Sequence, residues 1–105
     1  MIDEKELLRQ VADLQRETLH VWIERGWVSP GRAGAAYAYR EIDVARIRLI
    51  QEFSTDLALD AEAMDVILPL LDQVHGLRRQ LHRLCGAIDA QSEDVRARIR
   101  EALDD

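Results

Sequence analysis

The chain has 105 residues, enough for one small domain, and a domain of that size buries only about two-thirds of its unfolded surface, so self-association would help it. Hydrophobic residues make up 48% of it, but only Trp22, Trp27, Tyr37, Tyr39 and Phe53 are aromatic, which points to an aliphatic core between packed helices. The net charge of −6 opposes a polyphosphate partner. The single cysteine, Cys85, excludes an intrachain disulfide and a paired-thiolate zinc site, and no apolar run approaches the ~18 residues of a membrane span.

The acidic, polar start MIDEKELLRQ is unlike a secretory signal, so the cytoplasm is the expected location. Asp3 followed by Glu6 reads as a reciprocal N-terminal cap for a short helix over about residues 4–13, with Leu7, Leu8 and Val11 at helical spacing. QRETLHVWIERG then places Leu19, Trp22 and Ile23 on one face of a second helix, stopped by Gly26. A joint of about two residues between these runs predicts a helix-turn-helix. Trp27-Val28 and Tyr37-Ala38-Tyr39, flanking SPGRAGAA, read as the strands of a small β-hairpin wing.

The next helix, REIDVARIRLIQEFSTDL, is expected to turn the stripe Ile42, Ala45, Leu49 and Phe53 inward, broadened by Ile47, Ile50 and Leu57. Asp60 is placed to cap a fourth helix. There Ile67, Leu70, Val74, Leu77, Leu81, Leu84 and Ile88 follow the 3-4 spacing of a coiled-coil seam, the expected dimer interface. Pro69 lies off that seam, where it can kink the helix or begin a new one. Ser92 can cap a last helix with Val95, Ile99 and Leu103 on one side and Arg96 and Arg100 on the other. The expected organisation is a single domain, a winged helix-turn-helix over residues 1–60 with a helical dimerisation segment over 61–105 packed on it.

Glu6, Val11, Leu14, Thr18-Leu19, Trp22, Gly26-Trp27-Val28, Pro30, the wing tyrosines, Asp43, Ile47 and Ile50 follow the order and most spacings of the MerR-like winged helix-turn-helix over residues 3–57. The resemblance implies a mainly α fold with a β-hairpin wing and a C-terminal dimerisation helix. Two departures argue against DNA. DNA-binding members commonly carry a basic residue just after the first wing aromatic, where this chain has Ala38, and the second helix offers Gln15, Arg16, Glu17 and His20, with one fixed cation and one anion. The acidic balance, the Tyr37-Ala38-Tyr39 wing, DVARIRLIQEFSTDLALD and LLDQVHGLRRQLHRL together resemble the CbpM family over about residues 6–84. That resemblance implies a protein that docks on the J-domain of a DnaJ-like co-chaperone. The alternative is a dimeric MerR-like DNA-binding regulator.

For a J-domain surface rich in Lys and Arg, the candidate contacts are the acidic group Asp56, Asp60, Glu62 and Asp65, with Tyr37 and Tyr39 on one face of the wing. Asp72 continues the acidic group. His75, His82 and Cys85 lie at helical spacings but have no matching carboxylate, so the histidines read as solvated side chains and Cys85 as a residue at the edge of the seam, and no metal or other cofactor is expected. No nucleophile stands beside a base and no Gly-rich loop opens a helix after a strand, so catalysis is not expected either.

Overall fold

A computed structural model of the protein describes residues 1–104. The chain forms two compact units, Met1–Leu68 and Pro69–Asp105.

The first unit starts with α1 (Glu4–Gln10), capped by Asp3, whose carboxylate accepts from the Glu6 N–H at 2.8 Å. The expected reciprocal bond is missing among the described contacts, because the Glu6 carboxylate turns instead to Arg9 and Gln10. These two donors hold the Glu6 carboxyl below its usual pKa range, Gln10 contributing most. The helix stops at Gln10, short of the expected residue 13. Val11 turns extended and inserts into the core, and Asp13 takes a positive φ of 62° to redirect the chain. The joint to α2 (Arg16–Glu24) is therefore five residues long, longer than the two expected.

The stop of α2 follows expectation. Gly26, at φ 78°, lets its own N–H reach the Ile23 carbonyl and the Trp27 N–H reach that of Trp22.

Trp27 and Val28 were expected to be strand. They are buried instead, filling the core just past the helix stop, and the hairpin forms later from β1 (Gly31–Ala33) and β2 (Ala36–Ala38). Its antiparallel register pairs Gly31 with Ala38, Arg32 with Tyr37 and Ala33 with Ala36, leaving a two-residue turn. Gly34 there has φ 66° while Ala35 has no positive φ, the pattern of a type II′ turn. Beyond β2, Tyr39 and Ile2 exchange both backbone hydrogen bonds (2.8 and 2.9 Å), which ties the N-terminal residues to the base of the wing.

In α3 (Glu41–Thr55) the inward face is Val44, Ile47 and Ile50, with Asp43. The stripe expected to face inward lies mostly outward: Ile42 and Ala45 are exposed and Leu49 and Phe53 half-buried, while Leu57, beyond the helix end, is exposed. Asp43 is a buried charge with its bonds supplied by Arg40, from the backbone N–H at 2.9 Å and the guanidinium at 3.3 Å. Farther along, Arg48 and Gln51 donate to the Gln10 and Ala12 carbonyls, which α1 leaves unpaired at its end. Ala58, at φ 52°, reverses the chain after α3, and Asp60 then caps α4 (Ala61–Asp89) as expected, its carboxylate accepting from Ala63 N–H at 2.9 Å.

The core is assembled from the four helices of this unit and the base of the wing: Leu7, Leu19, Tyr39, Ile47, Ile50, Met64 and Leu68 are all essentially inaccessible to solvent. Each such Leu or Ile contributes about 1.5–3 kcal/mol. Because Met64 and Leu68 belong to it, the unit extends beyond the expected boundary at residue 60. The helix α4 runs on through Pro69, a position that lacks the N–H due to the Asp65 carbonyl.

In the second unit, α4 continues to Asp89 and α5 (Glu93–Asp104) follows. Ser92 caps α5 through the Val95 N–H, and Glu93 binds Arg96 and Arg100 at 2.8 and 2.6 Å. Arg100 is the main cause of a lowered Glu93 pKa. Val95 and Ile99 are half-buried and Leu103 is exposed. Among the described residues no helix is long and apolar enough to cross a membrane.

Candidate functional site

In a winged helix-turn-helix the second helix and the wing form the outward-reading surface. Here that surface is organised around a residue the sequence did not single out. Glu4, in the first turn of α1, accepts from Arg16 Nε at 3.0 Å on one carboxylate oxygen. On the other it meets His20 Nε2 at 2.6 Å and the Tyr39 hydroxyl at 3.2 Å. An ionised carboxylate only accepts, so His20 Nε2 carries the proton in this contact. The Glu4 side chain is 16% exposed, against 63% for Arg16 and 45% for His20. The cation and the imidazole of the reading helix are thus both engaged by one shielded anion.

Burial, and then the nearby Glu4 charge, push the Tyr39 phenol well above its ordinary pKa. Tyr39 is 1% exposed, so of the two candidate wing tyrosines it serves as core and only Tyr37 is open to a partner. Tyr37 stacks at an angle on Tyr39 (6.4 Å) and meets the His20 ring edge-on (6.1 Å). Across the hairpin, the Arg32 guanidinium lies 4.7 Å above the Tyr37 ring. The wing therefore does hold a cation, on β1 and opposite Tyr37 rather than at position 38. Only strand register could have revealed it, since Arg32 and Tyr37 lie five residues apart.

The four candidate acidic contacts separate into two kinds. Asp60 is the α4 cap, and Asp65 accepts from the Trp27 indole N–H at 2.7 Å, so both hold the fold. Arg46 donates to the Trp27 carbonyl, and the Arg25 guanidinium lies 5.4 Å from the Trp27 ring, so Trp27 is fixed on several sides. Asp56, at the end of α3, and Glu62, in the first turn of α4, are exposed. Leu57 and Val66, in the same stretch, are each 61% exposed and supply apolar surface beside these charges.

Along α4, the expected seam presents Leu70, Val74, Leu77, Leu81 and Leu84 to solvent in the single chain, with Ile67 and Ile88 half-buried at its ends. Cys85 is an exposed free thiol. Among the described residues no three His, Cys, Asp or Glu side chains gather as a metal site.

Comparison with known proteins places these features in a family. The profile of the MerR HTH family regulatory proteins matches residues 4–85, from the first turn of α1 to within a turn of the end of the α4 seam. A Streptomyces coelicolor protein described as a putative heat shock protein HspR is 30% identical over 90 residues, which cover 85% of this chain. The chain spans 60% of the length of that relative. No solved structure matches. With the profile covering the helix-turn-helix, the wing and most of the following helix, the chain belongs to the MerR HTH family of regulatory proteins.

Proposed function

We propose that this protein is a non-enzymatic, homodimeric cytoplasmic modulator that binds the J-domain of a DnaJ-like co-chaperone of the CbpA type and limits its stimulation of a DnaK-type chaperone. The observation that carries this reading is the Glu4 carboxylate on Arg16 and His20, which takes from the reading helix the positive charge that a phosphate backbone requires. With Glu17 on the same helix and a net charge of −6, the protein is suited to a basic protein surface. Asp56, Glu62 and Tyr37 are the accessible contacts, while Asp60 and Asp65 add negative potential from their structural positions. Dimerisation through Ile67, Leu70, Val74, Leu77, Leu81, Leu84 and Ile88 would cover the exposed apolar row on α4.

The second reading, a dimeric DNA-binding regulator, is favoured by Arg32 on the wing and by the regulatory family itself. Calorimetry separates the two. Asp56→Lys with Glu62→Lys should weaken binding to the isolated J-domain about tenfold or more, a loss of about 1.4 kcal/mol, and the wild-type affinity should fall with salt. Unchanged affinity in the double variant would move the contact to the Tyr37 face. Submicromolar, sequence-selective binding to genomic fragments would establish the regulator instead.

A further inference from the structure

Three donors from separate parts of the chain converge on Glu4: Arg16 and His20 from the first two turns of α2, and the Tyr39 hydroxyl from the base of the wing. Together they use both carboxylate oxygens. A guanidinium, an imidazole N–H and a phenol arranged around two oxygens of a shielded anion make a receptor for an oxyanion, and phosphate oxygens accept from the same donors. Its place on the reading surface, with Arg32 and Tyr37 on the adjoining hairpin, is where a helix-turn-helix meets a nucleic-acid backbone.

We propose that Glu4 is an intramolecular occupant of a backbone-phosphate site, a built-in competitor that closes the reading face of this MerR-type domain to duplex DNA. The inference rests on the reading of this protein as a non-DNA binder, and it names the residue that enforces that specificity. In mechanism, a DNA phosphate approaching α2 meets Arg16 already neutralised and must displace a carboxylate tethered at high effective concentration. It must also overcome repulsion from the same carboxylate. Replacing the carboxylate by an amide keeps an acceptor for the Tyr39 hydroxyl but removes the charge, so Arg16 becomes available to a phosphate.

The test is fluorescence anisotropy of a short labelled DNA duplex at about 50 and about 200 mM salt. The full-length wild type is compared with Glu4→Gln, Arg16→Ala and the double variant. Glu4→Gln is expected to bind at least about tenfold tighter than wild type, with a salt slope steeper by about one for the cation released. Adding Arg16→Ala should abolish the gain, whereas Arg16→Ala alone should lower DNA binding by clearly less than it does in the Glu4→Gln background, because in the wild type that cation is already engaged. Equal DNA affinity of Glu4→Gln and wild type, with thermal melts alike, overturns the proposal. If Glu4→Gln melts early, binding is measured well below its melt and the two Arg16→Ala effects decide: a loss as large in the wild type as in Glu4→Gln shows that Arg16 was never masked and also overturns it. Tight DNA binding by the wild type would refute the J-domain reading, while the ratio of Glu4→Gln to wild type would still judge the role of Glu4.

Discussion

Removing the Asp65 carboxylate should destabilise the first unit through Trp27. The indole N–H is 2.7 Å from Asp65 Oδ1 in a part-buried contact, and the Trp27 ring is only 8% exposed, so water replaces the lost acceptor poorly. A hydrogen bond to a charged group is worth about 1.5–3 kcal/mol net; because Asp65 itself is exposed, about 1–2 kcal/mol is expected for Asp65→Ala. For a domain of this size each kcal/mol lowers Tm by about 4–8 °C. Thermal and urea unfolding of Asp65→Ala, with Trp27→Phe and the double variant, form a cycle whose coupling should be about 1 kcal/mol or more. Glu62→Gln, in the same first turns of α4, is the control and should change stability by about 0.5 kcal/mol or less. A melt of Asp65→Ala indistinguishable from wild type, or zero coupling with Trp27→Phe, would refute the argument. The same contact makes charge reversal at Asp65 or Asp60 a poor probe of partner binding, since a loss of affinity would be mixed with a loss of fold.

Leu77→Asp with Leu81→Asp should convert dimers to monomers in sedimentation at micromolar concentration, and a monomeric wild type would rule out the α4 seam as an interface. Ala58 holds φ 52°, costly for a residue with a Cβ, so Ala58→Gly should raise stability by up to about 1 kcal/mol in urea unfolding; a decrease would contradict the strain. The raised Tyr39 pKa means that the unfolded chain loses its phenolic proton first. The associated stability is therefore full below about pH 10 and is lost as pH rises from there toward the folded value. Tyr39→Phe should flatten this alkaline loss of stability in pH-dependent melts, and an unchanged profile would remove Tyr39 as its cause.

Several parts of this fold were legible because their signals are local. Gly26 stops α2, Asp60 caps α4 and Ser92 caps α5 through bonds made within a few residues. The face of α3 was not legible because the helix carries two apolar stripes, Ile42-Ala45-Leu49-Phe53 and Val44-Ile47-Ile50, both at helical spacing. The choice between them is made by residues elsewhere in the core. Likewise β1 is Gly-Arg-Ala, with no β-branched residue to mark it; it becomes a strand through the turn at Gly34 and pairing with β2. Within the candidate site, Tyr37 and the charges at Asp56 and Glu62 were visible as an exposed pattern. The Glu4 centre was hidden because its partners lie 12, 16 and 35 residues away, and the structural duties of Asp60 and Asp65 depend on cap and indole geometry that composition does not record.

The J-domain reading stands or falls on titration of the wild-type protein into the isolated J-domain of a CbpA-type co-chaperone, followed by calorimetry at low and physiological salt. The expected result is a saturable complex that weakens as salt rises and loses about tenfold or more in affinity with Asp56→Lys and Glu62→Lys, in variants that melt like the wild type. No heat of binding at any salt, alongside submicromolar selective binding of the same preparation to DNA, would contradict it.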